Sequence, residues 1–163
     1  MAEYWYIREG FEEKADTFLA TGPQPVVTMD YSIGQHDFIN AGKASGEIKL
    51  ALKKIGVDSV ILRRVAIAAY EAEINVTAHA RGGTIQANIF PDCIQILFVD
   101  KGPGIDDIDQ CMVPGYSTAT DYVREMGFGA GLGLPNIKRN TDVLHIVSTP
   151  GDHTELEIVI YYG

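Results

Sequence analysis

The sequence is short of the residues that crosslink small secreted proteins or bind metal ions. Cys93 and Cys111 are the only cysteines among 163 residues, and no C-x-x-C pair or Cys/His cluster is present. This spacing argues against a disulfide framework and against a zinc site. We therefore expect two buried, reduced thiols, as in a cytoplasmic protein.

Positive charge and long apolar runs are also scarce. Lys and Arg number 13 against 22 Asp and Glu, so the formal net charge is −9. An acidic chain is a poor match for nucleic acid or an anionic membrane, and we expect neither as a partner. No apolar run approaches a membrane span, and the N-terminal residues lack an apolar signal core. The charge is compatible with protein partners and with nucleotides as ligands, and the expected location is the cytoplasm.

What the chain does contain is typical of a globular protein with its own core. Hydrophobic residues make up 46% of the sequence and charged residues 21%. Helix patterning between Met1 and Ala20, broken by "TGPQP", predicts a short helix in an N-terminal extension, residues 1–23, of unknown role. Residues 24–163 are predicted to form the main domain.

Strand and helix patterns follow one another through that domain. Strands are predicted for "PVVTMDYSI", for "TIQANIF" and "CIQILFVD" as a hairpin, and for "DVLHIVST" and "TELEIVIYY" as a second hairpin. Helices are predicted for 37–54, for the segment from N-cap Asp58 to a Gly-Gly stop, for the acidic "DDIDQCM", and for 132–140. Residues 115–128 are predicted to be a mobile loop. This order predicts an α+β, two-layer sandwich in which helices cover one face of a mixed sheet.

A glycine-rich segment, "GFGAGLGLPNIKR", precedes the last predicted helix. Its glycines recur at every second position, at Gly127, Gly129, Gly131 and Gly133. The spacing fits neither the dinucleotide fingerprint nor the P-loop, which needs Lys followed by Ser or Thr after its last glycine. A plain linker is the alternative, although recurring apolar residues predict a packed face. A glycine turn that runs into a helix N-terminus suits an anion.

Two further motifs carry polar side chains into apolar surroundings. Glu71, Asn75 and His79 are spaced i, i+4, i+8 on one stripe of a largely apolar helix, where a solvated face is the alternative. An amide oxygen suits Mg²⁺, and a carboxylate one turn away suits proton acceptance. In "VDKGPGI", Asp100 ends a strand before two glycines. It is placed to accept a hydrogen bond from an exocyclic amine, unless the segment is an ordinary Pro-Gly turn.

The three motifs together, in this order, resemble the GHKL ATP-binding superfamily of gyrase, Hsp90, histidine kinases and MutL. The resemblance covers the chain after Pro23 and implies the histidine-kinase-like (Bergerat) fold. "DKGPGIDDIDQCMVPGYSTAT", "GAGLGLPNIKR" and "GDHTELEI" most resemble the small bacterial anti-sigma serine kinases, including the switch kinases that act on STAS-domain proteins. The segment before Thr21 has no counterpart in the resemblance.

The resemblance implies a role for each matching residue. Glu71 matches the general base and Asn75 the Mg²⁺ ligand, while Asp100 matches the adenine-binding aspartate. Thr154 matches the threonine that helps to hold adenine through water. The remaining matches form the pocket floor and the phosphate loop: Gly102, Gly104, Gly127, Gly129, Gly131, Leu132 and Gly133.

The implied function is ATP-dependent and Mg²⁺-dependent phosphorylation of a serine or threonine on a STAS-domain, anti-sigma-antagonist-like partner. The alternative is a nucleotide-binding anti-sigma factor or partner-switch module that acts by binding, with little or no kinase activity. The sequence leaves open whether a sigma factor is bound. It also leaves open a homodimer, which is common among the anti-sigma relatives.

Overall fold

A computed structural model describes residues 1–116 and 133–163 of the chain. In chain order the elements are β1 (Ala2–Ile7), α1 (Glu12–Thr21), β2 (Val27–Ile33), α2 (Lys43–Lys54), α3 (Ser59–His79), β3 (Gly83–Ile89), β4 (Cys93–Lys101), α4 (Ile108–Cys111), α5 (Gly133–Asn140), β5 (Val143–Thr149) and β6 (His153–Tyr161). The α+β prediction is confirmed, and so are the two predicted hairpins, which are β3–β4 and β5–β6.

The strands form one six-stranded sheet in the order β1-β5-β6-β4-β3-β2. Every neighbouring pair runs antiparallel, so the prediction of a mixed sheet is wrong. The reason lies in the connections. β2 ends at Ile33 opposite Gly83, where β3 begins, because the helix pair α2–α3 leaves and returns at the same end of the sheet.

The main core lies between one face of the sheet and the helices α2, α3 and α5. Its fully buried members come from all of these elements: Ile48, Leu52, Val65, Ala68, Ile85, Ile96, Ile137, Ile146 and Ile158. A second cluster joins Ala15 of α1 to Val143, Val159 and Tyr161 on the opposite face. The prediction that helices cover one face is therefore wrong for α1, which covers part of the other.

The N-terminal segment differs from its prediction. Residues 2–7 form an edge strand paired with β5 from Ala2↔Ser148 to Ile7↔Val143, and the helix begins only at Glu12. Tyr4 and Tyr6 are partly buried on the main-core side, while the intervening Trp5 is exposed, which is the period of a strand. The separation of residues 1–23 from a main domain stays a prediction.

Helix α2 begins at Lys43 rather than at Asp37. The Asp37 carboxylate instead holds a turn, where it accepts hydrogen bonds from the backbone N–H and the side-chain amide of Asn40 at 3.3 and 2.8 Å. The first backbone amides of α2 are bound from α3. Glu73, which is 4% exposed, accepts Gly42 N–H and Ser45 N–H, each at 3.0 Å. A carboxylate at a helix start satisfies free N–H groups and the positive end of the helix dipole.

The other predicted boundaries agree closely with the structure. Asp58 caps α3 by accepting Val60 N–H at 3.0 Å, as predicted. Cys93 is buried as expected, whereas Cys111 is half-buried, and both are free thiols. Within the described ranges, no helix has the length and apolar character needed to cross a bilayer.

Candidate active site

The stripe predicted on α3, formed by Glu71, Asn75 and His79, is the solvent-accessible side of that part of the helix. Between residues 71 and 80, Glu71, Asn75 and His79 are partly exposed and the other seven residues are buried. Burial lowers the pKa of His79, and the neighbouring His36 lowers it further. The alternative of a freely solvated helix face is not supported, because the flanking residues pack into the core.

The start of α5 lies directly against this stripe. A Cβ atom at Gly133 would lie 2.9 Å from Asn75 Oδ1, which is closer than carbon and oxygen can approach. Asn136, one turn further along α5, donates from Nδ2 to Glu71 Oε1 at 3.5 Å. The end of the glycine-rich segment, the start of α5 and the Glu71–Asn75 pair therefore meet, and any larger residue at 133 would displace the Asn75 amide.

Asp100 lies near the end of β4, directly opposite Thr154 of β6. Its Oδ1 accepts the Thr154 backbone N–H at 3.1 Å. Among the described residues, Oδ2 accepts no hydrogen bond. Burial raises the pKa of Asp100, against smaller lowering effects of the Thr154 N–H and of His153. A carboxylate fixed through one oxygen presents the other to a donor.

The two glycines after Asp100 allow their loop to pack closely. A Cβ atom at Gly102 would lie 3.1 Å from Ala80 Cβ, at the end of α3, and 3.2 Å from Asp100 Oδ1. Gly104 has φ +73°, and a Cβ atom there would lie 2.6 Å from the Thr149 carbonyl oxygen. The loop is thus pressed between the end of α3 and the end of β5, which brings Asp100 to the helix that carries Glu71 and Asn75.

Two residues that support the site were not predicted from the sequence. Ser148 is fully buried, with its Oγ 2.8 Å from Thr154 Oγ1, and accepts Ile105 N–H at 2.7 Å. It ties the glycine loop to β6. The signal was present, because Ser148 and Thr154 are opposite one another at the inward positions of an otherwise apolar hairpin. Asn136 is the second, and its contact with Glu71 joins residues 65 positions apart.

Several predicted site residues lie outside the part of the chain that the structure describes. These are Gly127, Gly129, Gly131 and Leu132, together with residues 117–128 of the predicted loop. The residues that are described fall into two groups, both on or beside α3. One is Glu71, Asn75 and Gly133; the other is Asp100, Gly102, Gly104 and Thr154.

The chain resembles curated bacterial regulators. It is 32% identical over 111 residues to the serine/threonine-protein kinase RsbT of Bacillus subtilis, which covers 66% of this chain and 77% of RsbT. It is 33% identical over 97 residues to the anti-sigma F factor of Caldanaerobacter subterraneus subsp. tengcongensis, covering 60% of each chain. No protein-family model matches the chain.

A solved structure shows the same fold. A chain from the crystal structure of the SiaB–SiaC complex of Pseudomonas aeruginosa superposes with a TM-score of 0.56. The match covers 93% of this chain and 99% of that one at 13% identity, which establishes shared architecture alone. Together with the RsbT match and the arrangement of the motif residues, this confirms the family predicted from the sequence: the chain belongs to the GHKL-type anti-sigma serine/threonine kinases.

Proposed function

We propose that this protein is a cytoplasmic kinase that transfers the γ-phosphate of ATP to a serine or threonine of a STAS-domain partner. One observation carries the proposal. Glu71 and Asn75 of α3 face the first turn of α5. The C-terminal end of α3 contacts the glycine loop beside Asp100. Ala80 follows Asn75 by five residues, roughly 7.5 Å along a helix axis, so one extended nucleotide can reach both groups.

Asp100 is the proposed adenine-binding residue. Because Thr154 N–H occupies Oδ1, Oδ2 is left to accept a hydrogen bond from the exocyclic amine of adenine. Guanine carries a carbonyl oxygen at that position, which a carboxylate repels. Gly102 and Gly104 let the loop after Asp100 pack against the ends of α3 and β5, which holds Asp100 in position.

Asn75 is the proposed protein ligand of Mg²⁺. The described residues contain no group of three or more His, Cys, Asp or Glu side chains that could hold a metal ion. The amide oxygen of Asn75 as a single protein ligand fits Mg²⁺ that is otherwise bound by nucleotide phosphates and water. When bound, Mg²⁺ neutralises charge on the phosphates during transfer. The lowered pKa of His79 keeps its imidazole neutral at physiological pH, so it does not repel a cation one turn away.

Glu71 is the proposed general base. It lies one turn before Asn75, and Asn136 binds its Oε1 and orients the carboxylate. Glu71 accepts the proton of the incoming hydroxyl, whose oxygen bonds to the γ-phosphorus as the bond to the ADP oxygen breaks. Helix N-termini bind phosphate oxygens through backbone N–H groups and the positive dipole end, and we assign this role to the start of α5.

The proposal is tested by phosphate transfer from γ-labelled ATP to candidate STAS-domain proteins. Glu71→Gln keeps the shape and removes the base, so ATP affinity should stay near wild type while transfer falls by about 10²–10⁴-fold. Asn75→Ala should instead weaken Mg²⁺-dependent ATP binding itself. Glu47→Gln, on the exposed surface of α2, is the matched control and should change neither measurement.

The outcomes separate the kinase from the binding module. Glu71→Gln protein that transfers phosphate at the wild-type rate would contradict the role of Glu71. If wild-type protein binds ATP normally while label never reaches a STAS-domain partner that it binds, the kinase function is wrong. A nucleotide-dependent partner-switch module would then be the better assignment.

A further inference from the structure

The N-terminal strand contacts the helix that leads away from the proposed phosphate site. β1 is an edge strand whose neighbour in the sheet is β5. Lys138 of α5 places its Nζ 5.7 Å from the ring centroid of Tyr4 and 5.0 Å from that of Tyr6. A cation above aromatic rings at these distances is attracted by their π faces, so β1 binds α5 through two successive inward side chains.

Arg8, which directly follows β1, binds the other side of the end of α5. Its Nη2 donates to the carbonyl oxygens of Arg139 and Thr141 at 2.7 and 2.9 Å. The last carbonyls of a helix lack partners within the helix, and a cation there also faces the negative end of the helix dipole. Arg8 thereby caps the C-terminal end of α5.

The same guanidinium is held by a fully buried carboxylate. Arg8 Nε donates to Asp142 Oδ1 at 3.1 Å, and Arg64 of α3 donates to that oxygen at 2.7 Å. The second oxygen of Asp142 accepts Tyr161 N–H of β6 at 2.9 Å. Asp142 thus links the residue after β1, the long helix α3 and the central strand β6. We call Arg8, Arg64 and Asp142 the arginine clamp.

The arginine clamp and the proposed phosphate site lie at opposite ends of α5. This helix has eight residues, about 12 Å at 1.5 Å per residue, and its first residue abuts Asn75. Arg64 lies seven residues, about two turns, before Glu71 on α3. A displacement of the C-terminal end of α5 relative to Arg64 therefore shifts Gly133 and Asn136 relative to Asn75 and Glu71.

From these contacts we infer that β1 and Arg8 position α5 against Glu71 and Asn75, so the N-terminal segment supports the nucleotide site. The inference rests on the proposed function for its consequence, which is tighter ATP binding. Arg8 is a positioning residue, because it acts through α5 and touches neither Glu71 nor Asn75. Its planar fork reaches the carboxylate and two carbonyls at once, which a lysine cannot do.

The test compares two variants that each lose hydrogen bonding, one inside the clamp and one outside it. Arg8→Lys keeps the charge and loses the fork. Thr28→Val removes the hydroxyl that donates to Asn88 Oδ1 at 2.9 Å between β2 and β3, at the sheet edge opposite β1 and away from α5. For both proteins we would measure the midpoint of thermal unfolding, the ATP–Mg²⁺ dissociation constant by calorimetry, and hydrogen exchange of the α5 amides.

Arg8→Lys should weaken ATP binding about threefold to tenfold, the usual size of effects from residues remote from a ligand. It should also speed exchange within α5. Thr28→Val should lower the unfolding midpoint, because Asn88 loses a donor, with neither change. Lys138→Gln, which removes the contact with the two tyrosines, should act in the same direction as Arg8→Lys and serves if that variant folds poorly.

The outcomes distinguish this inference from the proposed function. Wild-type protein that binds no ATP would overturn the proposed function, and exchange of the α5 amides would still test the clamp. Unchanged α5 exchange in Arg8→Lys and Lys138→Gln would overturn the inference. So would equal weakening of ATP binding by Thr28→Val, since loss of stability alone would then account for the effect.

Discussion

Asp100→Asn tests the adenine site most directly, because the structure fixes what each side-chain atom must face. Oδ1 accepts Thr154 N–H at 3.1 Å, so the asparagine oxygen will take that position and keep the bond. The asparagine Nδ2, a donor, then faces the exocyclic amine of adenine, which is also a donor. A hydrogen bond to a charged acceptor is replaced by a donor–donor contact. Such a bond is worth about 1.5–3 kcal/mol.

That range predicts ATP binding weaker by about tenfold to 150-fold, measured by calorimetry with saturating Mg²⁺. Inosine triphosphate is the matched ligand, because an oxygen replaces the amine at the same ring position. Wild-type protein should prefer ATP. In the variant, Nδ2 can donate to the inosine oxygen, so affinity for inosine triphosphate should hold or improve. An equal fall for both nucleotides would refute a direct contact between Asp100 and the amine.

The variant should also fold, which keeps the comparison clean. Burial raises the pKa of Asp100, so the folded state penalises its charged form. For a carboxyl group with a raised pKa, the free energy of unfolding falls as pH rises from the unfolded pKa through the folded one. Asn carries no charge, so the substitution removes that penalty. Without nucleotide, Asp100→Asn should unfold at or above the wild-type temperature at pH 7.

Three further substitutions test residues that hold the site in position. Gly104→Ala places a Cβ atom at φ +73° and 2.6 Å from a carbonyl oxygen, so it should lower the free energy of unfolding by more than about 1 kcal/mol. Gly46→Ala, at an open helical position, should raise it by about 0.5–1 kcal/mol, and melting shifts of the same sign in the two variants would contradict this. Glu73→Gln should lower the free energy of unfolding, measured by chemical denaturation, by about 1.5–3 kcal/mol, because the buried carboxylate accepts two backbone N–H groups. An unchanged midpoint would count against Glu73 as the cap of α2. Asp142→Ala should lower the free energy of unfolding by about 3 kcal/mol, the lower end of the range for breaking a buried ion pair, because both arginines are partly exposed. An unchanged free energy of unfolding would show that the carboxylate is dispensable.

The sequence predicted those parts of the site that depend on local geometry. Glu71 and Asn75 share a stripe because residues four apart on a helix lie on one face. Asp100 and its glycines could be placed because a strand end and a turn are encoded within seven residues. Family membership followed from the order of such local motifs, and the RsbT match confirms it.

What the sequence did not predict depends on pairing across the chain. The six residues of β1 are too few to separate strand from helix by pattern, and the partner that decides the matter, β5, lies about 140 residues away. The mixed sheet was wrong for a similar reason, since strand direction follows from the return path of the α2–α3 pair. The inward position of Ser148 in its hairpin was a local signal, but its bond to Ile105, 43 residues away, was not. The contact of Asn136 with Glu71, 65 residues away, also lies outside any local motif.

Glu71 and Glu73 show how the same residue type serves two purposes on one helix. Two positions along an α-helix correspond to a rotation of about 200°, so the carboxylates point in nearly opposite directions. Glu73 is buried and bonded to the start of α2, whereas Glu71 reaches the accessible stripe. In the sequence, spacing alone separates these roles, because Glu71 lies four residues before Asn75 and Glu73 lies only two before it.

This division of roles explains how the accessible stripe keeps its direction. The apolar residues of α3 pack into the core, and two polar side chains of the same helix add bonds that depend on direction. Glu73 and Arg64 make directional bonds, to the start of α2 and to buried Asp142, and each would lose them if α3 turned. A buried group left without its partner costs several kcal/mol. The orientation of Glu71 and Asn75 towards α5 is thus set by two polar side chains that are not themselves part of the proposed chemistry.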